Sequence, residues 1–219
     1  MKKILILIII VFFIILTIFK VDANNLTFPL LGKIIIIDPG HGGVDQGAIH
    51  QEIKEAPLNL AISLHLKSEL EKQGAVVIMT RDGNYDLSKP NALYRKKSDF
   101  DNRIKLINNS DADLYLSVHL NSYVNASYYG AQVFYNTLFK ENEMIAEMLQ
   151  KTLNNNTDTK RKIKLVSSAN YMYGKLNVKG VLVECGFLSN GTERMKLTSS
   201  DYQTKLAKVI TSGIIEYYS

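Results

Sequence analysis

The chain contains few of the residues that cross-link or interrupt a fold. Its 219 residues include one cysteine, four prolines and no tryptophan. The single cysteine, Cys185, excludes an internal disulfide, so stability has to come from a hydrophobic core. Residues 30–219 contain no internal repeat and no low-complexity linker. At this length, one compact domain is therefore the expected organisation.

A large excess of charge of one sign is also absent. The net charge is +5, and it falls to +3 when residues 1–23, with three lysines and one aspartate, are set aside. We find no basic stripe interleaved with aromatic residues, so nucleic acid is not an expected partner. The mild positive excess would suit an acidic polymer or a lipid surface, although such an excess more often serves solubility.

A long hydrophobic run occurs at the amino terminus. Residues 4–19 are apolar except for Thr17, and Lys2 and Lys3 precede them. This pattern is typical of an export signal. We predict that residues 1–23 form a signal peptide, cleaved after Ala23, or an uncleaved membrane anchor. Sixteen residues are short for a span of about 20, yet we favour the anchor. The protein is expected to be exported and to act outside the cytoplasm.

Apolar strand candidates alternate with amphipathic helix candidates from residue 33 onwards. The unbroken apolar run at 33–38 has no solvent face, which indicates a buried strand of a parallel sheet. Pro57 fits the first turn of a helix that ends at Gly74. The same patterns predict strands at 75–80, 114–119, 130–136 and 181–184, helices at 93–109, 141–153 and 201–217, and a polar loop at 154–164. We therefore expect an α/β fold, a single domain with a mostly parallel or mixed twisted sheet and helices on both faces.

Three of the predicted strands end beside a side chain suited to metal binding or proton transfer. His41 follows the first strand in DPGHGG, His119 ends LYLSVH, and Glu184 ends VLVE. Ligands of such sheets collect at the carboxyl ends of the strands, so these side chains are expected to lie close together. Zinc in hydrolytic sites takes three ligands of the His and Asp/Glu types and keeps a position for water. His41 and His119 can supply two of these ligands. Glu184 or an acid near residues 50–55 can supply the third ligand. A further carboxylate, outside the metal site, would transfer protons.

Other chemically active side chains have plainer interpretations. We expect His50 to lie in a loop, His65 on a helix face and Cys185 to be a small apolar filler at a strand end. Arg81 and Arg103 are expected to brace loops. Asp38 is expected to orient the turn that carries His41 or the ring of a ligand.

Three motifs together resemble a known family. DPGHGG, SVHLNS and VLVECGFLSN, in this order and spacing, resemble the zinc-dependent N-acetylmuramoyl-L-alanine amidases of the amidase_3 type. The resemblance runs from about residue 33 to 218. Within the family, GAQVFYN and the layout of one domain behind a short leader resemble the sporulation and germination-specific members.

The resemblance assigns roles to individual residues. It implies that His41 and His119 bind Zn²⁺ and that Glu184 is the catalytic acid/base. The family's EKD-x-N-L-A segment aligns with EAPLNLA at 55–61, so Glu55 takes the place of the third ligand, although Ala and Pro stand where Lys and Asp are usual. Glu52, three residues earlier, remains an alternative. Asn121, near the second histidine, is a candidate for substrate binding.

The implied reaction is hydrolysis of the amide between the lactyl group of N-acetylmuramic acid and the L-alanine of the peptidoglycan stem peptide. In spore cortex this reaction precedes closure of muramic-δ-lactam by another enzyme. Peptidoglycan is then the main partner, with the membrane, through the N-terminal segment, and an accessory protein as further candidates. The expected location is the cell wall or spore envelope. Two alternatives stay open: a wall-binding scaffold without chemistry, motivated by Ala56 and Pro57, and a zinc carboxypeptidase on a related sheet.

Overall fold

The computed structural model describes residues 27–166 and 170–219. The predicted signal peptide or anchor at 1–23 lies outside these residues. Within the two described ranges, every helix is too short or too polar to cross a bilayer.

Strands and helices alternate along the described chain. Their bounds are β1 (Ile34–Pro39), β2 (Ile49–His50), β3 (Ile53–Lys54), α1 (Glu55–Lys72), β4 (Val76–Met79), α2 (Arg95–Asn108), β5 (Leu114–Asn121), β6 (Gln132–Tyr135), α3 (Glu141–Asn156), β7 (Lys164–Leu165), a 3-10 turn (Tyr173–Lys175), β8 (Gly180–Phe187), α4 (Gly191–Leu197) and α5 (Ser200–Tyr218).

The described strands form one main sheet and one small hairpin. The main sheet has the order β4-β1-β5-β8-β6-β7, and β2 pairs with β3 in the hairpin. Strands β4, β1, β5 and β8 run parallel, whereas β6 is antiparallel to β8. The carboxyl ends of β1, β5 and β8 therefore meet at one edge.

Both faces of the sheet are covered, which explains the unbroken apolar run in β1. Ile35 and Ile37 belong to the larger core together with Ile62 and Leu66 of α1. Ile36 points the other way, into a second core with Ile107 of α2. Because successive side chains of a strand face opposite sides, burial on both sides needs apolar residues at every position.

The predicted fold class is confirmed, and the differences are local. Each predicted helix and strand is present within a few residues of its expected bounds. The predicted bounds of the loop at 154–164 are wrong at both ends, because α3 continues to Asn156 and β7 begins at Lys164. The β2–β3 hairpin and α4 were not predicted, since strands of two residues and a helix of seven are too short to show a periodicity.

Candidate active site

Four positions from four adjacent strands or their ends line up across the sheet. His119 of β5 is in register with Glu184 of β8, which is in register with Gln132 of β6. Gly40, one residue beyond β1, lies beside His119, and a Cβ atom at position 40 would overlap the imidazole. Residues in register on neighbouring strands project to the same face. The glycine of DPGHGG therefore makes room for the His119 ring.

His41 lies on the turn after β1 in an unusual backbone conformation. Its φ of 61° is in the left-handed region, which residues other than glycine seldom adopt. Two buried arginines hold the carbonyl groups around it: Arg81 donates to Pro39 O and Gly40 O at 2.9 and 2.8 Å, and Arg103 to Pro39 O and His41 O at 2.9 and 2.6 Å. These hydrogen bonds fix the direction in which the His41 ring leaves the turn.

Asp38 connects this turn to the interior. Its Oδ1 atom lies 2.6 Å from Arg103 Nη1, and it also accepts a hydrogen bond from the Thr80 hydroxyl. The positive charge of Arg103 is also compensated by Asp99, whose Oδ2 atom lies 3.0 Å from Arg103 Nε. Asp38 is 2 % exposed, and a buried carboxylate is tolerated only with such partners. Asp38 thus acts on the turn through Arg103.

Glu55, the first residue of α1, is held from several sides. Its Oε2 atom accepts from Ala48 N at 2.9 Å, and Oε1 accepts from Asn59 Nδ2 at 3.0 Å and from Leu120 N at 3.2 Å. The side chain is buried, and a carboxylate is favourable at the amino end of a helix. Gly47 leaves room for the Glu55 side chain, because a Cβ atom at position 47 would lie 2.5 Å from Glu55 Oε2.

Two imidazoles meet this carboxylate. His41 Nε2 lies 3.2 Å and His119 Nδ1 3.0 Å from Glu55 Oε1. One ligand atom from each of the three residues lies within 4.8 Å of the others. Glu52, the alternative third ligand, is exposed at the tip of the β2–β3 hairpin and is not part of this group.

The electrostatics of the group favour a charged carboxylate. Burial acts to raise the pKa of Glu55, but hydrogen bonds with His119 and His41 outweigh it and hold that pKa far below its usual range. Burial acts to lower the pKa of His41, yet the contacts with Glu55 and Asp45 raise it above the usual value. An anion with two imidazoles around it is a ready site for a divalent cation.

Glu184 shares a cavity with the two histidines. The cavity measures about 210 Å³, and Phe100, Met172 and Tyr173 form part of its wall. Glu184 Oε2 is buried and has no hydrogen-bond partner in the described part of the chain. Burial raises the pKa of Glu184 to about 7, against the attraction of the two histidines. A carboxyl with such a pKa can both accept and donate a proton at neutral pH.

The remaining side chains singled out in the sequence lie outside this cavity. Asn121 ends β5, and its Oδ1 atom accepts from Ser122 N at 2.8 Å; its role in substrate binding stays a prediction. His50 lies 2.9 Å from Ser122 Oγ, and His65 contacts Thr204 of α5 at 3.2 Å. Cys185 is fully buried.

Sequence reasoning missed Asp45 and Tyr173. Asp45 Oδ1 lies 3.0 Å from His41 Nδ1, four residues along the same turn, and this spacing beside a candidate ligand was the available signal. Tyr173 lines the cavity, and its hydroxyl contacts Ser117 Oγ at 3.2 Å. No motif marks Tyr173, because it belongs to a 3-10 turn of three residues, which is too short to show a periodicity.

These features define a class of protein, a hydrolytic enzyme with an α/β fold. Two histidines and a carboxylate lie at the carboxyl edge of its mixed sheet, and a second, protonatable carboxylate lies beside them. The chain belongs to the Amidase_3 family, described as N-acetylmuramoyl-L-alanine amidase, which it matches over residues 35–216. The family resemblance drawn from the three motifs is confirmed, and the substrate class is peptidoglycan.

Individual relatives agree with this assignment. The chain is 39 % identical over 218 residues to the germination-specific N-acetylmuramoyl-L-alanine amidase of Bacillus subtilis (strain 168), covering 95 % of this chain and 92 % of that protein. The structure of the CwlD amidase from Clostridioides difficile in complex with the GerS lipoprotein is 37 % identical with a TM-score of 0.80, covering 84 % of this chain and 98 % of that one. An N-acetylmuramoyl-L-alanine amidase from Clostridium difficile 630 is 29 % identical with a TM-score of 0.74, covering 84 % and 96 %.

Proposed function

We propose that this chain is a zinc-dependent enzyme that hydrolyses the amide between the lactyl group of N-acetylmuramic acid and the L-alanine of the stem peptide. In this proposal His41, Glu55 and His119 hold Zn²⁺ and Glu184 transfers protons. The observation that carries it is the convergence of three ligand atoms within 4.8 Å beside a cavity that contains a buried, unpartnered carboxylate oxygen.

The donor set fits zinc. Two imidazole nitrogens and one carboxylate oxygen are the ligands found in catalytic zinc sites that keep a position open. The network around Glu55, with hydrogen bonds from Ala48, Asn59 and Leu120, fixes the carboxylate before any metal binds. When bound, Zn²⁺ supplies a Lewis acid that polarises the substrate carbonyl and lowers the pKa of water to about 7.

Glu184 then performs the proton transfers. As a carboxylate, it accepts a proton from the attacking water while the new C–O bond forms at the lactyl carbonyl carbon. It next donates that proton to the amide nitrogen as the C–N bond breaks, so the peptide leaves with a free amino group on L-alanine. A pKa of about 7 suits a group that has to act in both directions.

A wall-binding scaffold that has lost its chemistry is the second candidate, motivated by Ala56 and Pro57. Ala56 is buried, and its carbonyl accepts from Arg81 Nη2 at 2.9 Å. Pro57 is the third residue of α1, where a missing N–H costs nothing because the first N–H groups of a helix have no partner within it. Both departures leave the hydrogen bonds of Glu55 intact, which favours the enzyme.

Zinc content combined with product masses tests the proposal. The purified protein is expected to bind one zinc and to release from peptidoglycan peptides that begin with L-alanine, leaving muramic acid with a free carboxyl. Cleavage inside the peptide would point instead to a carboxypeptidase. Absence of zinc, together with absence of products after zinc is added, would point to the scaffold.

We further infer a role in spore cortex, where removal of the peptide precedes muramic-δ-lactam formation. The likeness to a protein named germination-specific supports this role. The C. difficile relative is described in complex with a lipoprotein, which supports an accessory lipoprotein as a partner of this chain. Cortex from a deletion strain is expected to lack muramic-δ-lactam, and unchanged cortex muropeptides would contradict the role.

We also infer that the protein acts outside the cytoplasmic membrane, since that is where peptidoglycan lies. Residues 1–23 would direct export, as a cleaved signal or as an anchor. Amino-terminal sequencing of protein from the membrane and wall fractions distinguishes the two. Protein found with its amino terminus intact in the cytoplasm alone would contradict both.

A further inference from the structure

A second opening lies one strand away from Glu184 of the catalytic cavity, on the side of β6. It measures about 400 Å³, and its wall includes Tyr128, Tyr129, Gln132, Lys160, Arg161 and Lys162. We refer to these six residues as the basic cleft. None of these six residues binds the metal or transfers protons in the proposed reaction.

Strand register connects the basic cleft to the catalytic cavity. Gln132 of β6 is in register with Glu184 of β8, so the two residues are one strand apart on the same face. The side chain of Gln132 reaches the segment that carries the lysines, because its Nε2 atom donates to Lys162 O at 2.8 Å. A substrate lying across the carboxyl edge of the sheet therefore passes from Glu184 into the basic cleft.

The three cations of the cleft have no ion-pair partner in the part of the chain that the structure describes. Neither Lys160 nor Arg161 nor Lys162 lies within 4.0 Å of a carboxylate. The nearby Asp158 is paired with Lys196 at 2.6 Å. Asp158 and Glu193 interact with Lys160 and Arg161 only beyond ion-pair distance. Three adjacent cations without a direct ion pair raise the local concentration of anions.

The opposite side of the catalytic cavity differs in this respect. There Lys96 lies 3.5 Å from Asp45, and Lys97 lies 2.7 Å from Asp101. These two lysines on that side are thus paired with carboxylates of the protein itself. An anionic part of a substrate is therefore expected on the β6 side.

Arg161 is already held in position. Its Nε atom donates to Tyr129 O at 2.8 Å, and its guanidinium lies 4.5 Å from the ring of Phe187 and 5.4 Å from that of Tyr128. An arginine stacked on aromatic faces loses little freedom when it binds a carboxylate. The cleft is thus organised before a ligand arrives.

We propose that the basic cleft binds carboxylate groups of the stem peptide two or three residues beyond the amide that is cleaved. This inference rests on the proposed function. Adjacent strands are about 4.8 Å apart, and an extended peptide advances about 3.4 Å per residue. A peptide whose first residue lies at Glu184 thus brings its second and third residues to the cations. A glycan of N-acetylated sugars carries no charge that would call for three cations.

Binding and turnover of paired substrates test this assignment. The substrates are two muramoyl peptides, identical except that the second residue carries a free carboxylate or a carboxamide. The variant is Lys160→Gln/Lys162→Gln, because both lysines are exposed and their removal leaves the packed Arg161 in place. The control is Lys105→Gln/Lys208→Gln, which removes two exposed lysines from α2 and α5 and changes the net charge equally.

The cleft variant is expected to raise KM for the carboxylate peptide about three- to tenfold at low salt, as for two exposed ion pairs. Its kcat and its KM for the carboxamide peptide should match those of the parent, and salt should diminish the difference. The control should match the parent for both peptides. An equal rise in KM for both peptides, or none, would overturn the inference.

Direct binding separates this inference from the proposed reaction. Fluorescence anisotropy of the labelled peptides with zinc-supplemented Glu184→Gln protein, with and without the two lysine changes, measures affinity without turnover. A three- to tenfold preference for the carboxylate that depends on the lysines would support the cleft even if the parent cleaves neither peptide. Equal competition by polyphosphate would show a general anion site and reject peptide carboxylates as its particular ligand.

Discussion

Glu184 meets two opposing requirements. Its burial in β8 raises its pKa to about 7, which makes it a suitable proton carrier. The same burial leaves Oε2 without a hydrogen-bond partner among the described residues, which costs stability whenever the group is charged. The residue is best explained by its chemistry, because an amide or an apolar side chain would be less costly at this position.

Replacing Glu184 with glutamine should separate metal binding from catalysis. Glutamine preserves the size of the side chain, and the three candidate ligands are untouched, so zinc content is expected to remain that of the parent. Proton transfer is lost, and kcat is expected to fall by about 10² to 10⁴. Zinc analysis and the rate of release of L-alanine peptides check this, and parent-like cleavage would reject the acid/base assignment.

The same substitution should stabilise the metal-free protein at alkaline pH. The folded state raises the pKa of Glu184 from 4.5 to about 7, so between these values the folded chain binds more protons than the unfolded chain. The stability of the parent therefore falls as pH rises through this window, by up to about 3 kcal/mol. Glutamine does not ionise and should avoid the loss.

Thermal unfolding in a chelator, at pH 4.5 and pH 8, measures this effect. The difference in Tm between the variant and the parent is expected to be small at pH 4.5 and clearly positive at pH 8. A difference that stays constant between the two pH values would mean that Glu184 is not held in its neutral form by the fold.

The segment between β1 and α1 shows how neighbouring elements build the site together. The turn after β1 carries His41, and the β2–β3 hairpin leads directly into Glu55. Glu55 N donates to Ala48 O, and Glu55 Oε2 accepts from Ala48 N, both at 2.9 Å. This segment thus ties the entry of α1 to the turn and fixes the distance between His41 and Glu55.

Gly47→Ala is expected to damage this arrangement. Gly47 has a φ of 67°, and an added Cβ atom would lie 2.5 Å from Glu55 Oε2 and 2.8 Å from His41 Cδ2. The methyl group has to displace one of the two candidate ligands, so zinc affinity should fall by at least tenfold. Isothermal titration with zinc measures the change.

Gly32→Ala is the matched control for this substitution. Gly32 also has a positive φ, 79°, but a Cβ atom there meets nothing within 4 Å. Both variants therefore carry the backbone cost of alanine in the left-handed region, about 1 kcal/mol, and only Gly47→Ala touches the site. Equal losses of zinc affinity in the two variants would attribute the effect to general destabilisation.

The elements that could be predicted from the sequence are those with a strong local pattern. The apolar runs of β1, β5 and β8 indicate buried parallel strands, and parallel strands bring their carboxyl ends together, which is why His41, His119 and Glu184 could be grouped without coordinates. The two-residue strands of the hairpin have no periodicity, so the choice between Glu52 and Glu55 depended on family resemblance. Gln132 and Lys162 meet only through the order of strands, which local patterns do not encode.

Zinc would join parts of the chain that are remote in sequence, since His41 and His119 are 78 positions apart. The group exists only in the folded state, so binding adds to the free energy of unfolding, by about 4 kcal/mol at a free concentration 1,000 times Kd. This linkage offers a test of the ligand set that is independent of activity.

Glu55→Gln and Glu52→Gln form a pair for this test. Both remove one negative charge, but Glu55 Oε1 lies beside both imidazoles, whereas Glu52 is exposed on the hairpin. At pH 8, zinc should raise the Tm of the parent and of Glu52→Gln alike and leave that of Glu55→Gln almost unchanged. The reverse order would make Glu52 the third ligand.

The protonation of His41 predicts how the zinc-dependent rise in Tm varies with pH. Burial opposes protonation of His41, but its contacts with Glu55 and Asp45 raise its pKa above the usual value of 6.5. Because only the neutral imidazole binds a metal, protons compete with zinc as the pH falls below 7. The zinc-dependent rise in Tm should therefore shrink between pH 8 and pH 5 in the parent. A rise in Tm that is as large at pH 5 as at pH 8 would show that zinc binds elsewhere, since a site with two histidines has to release protons to accept the ion.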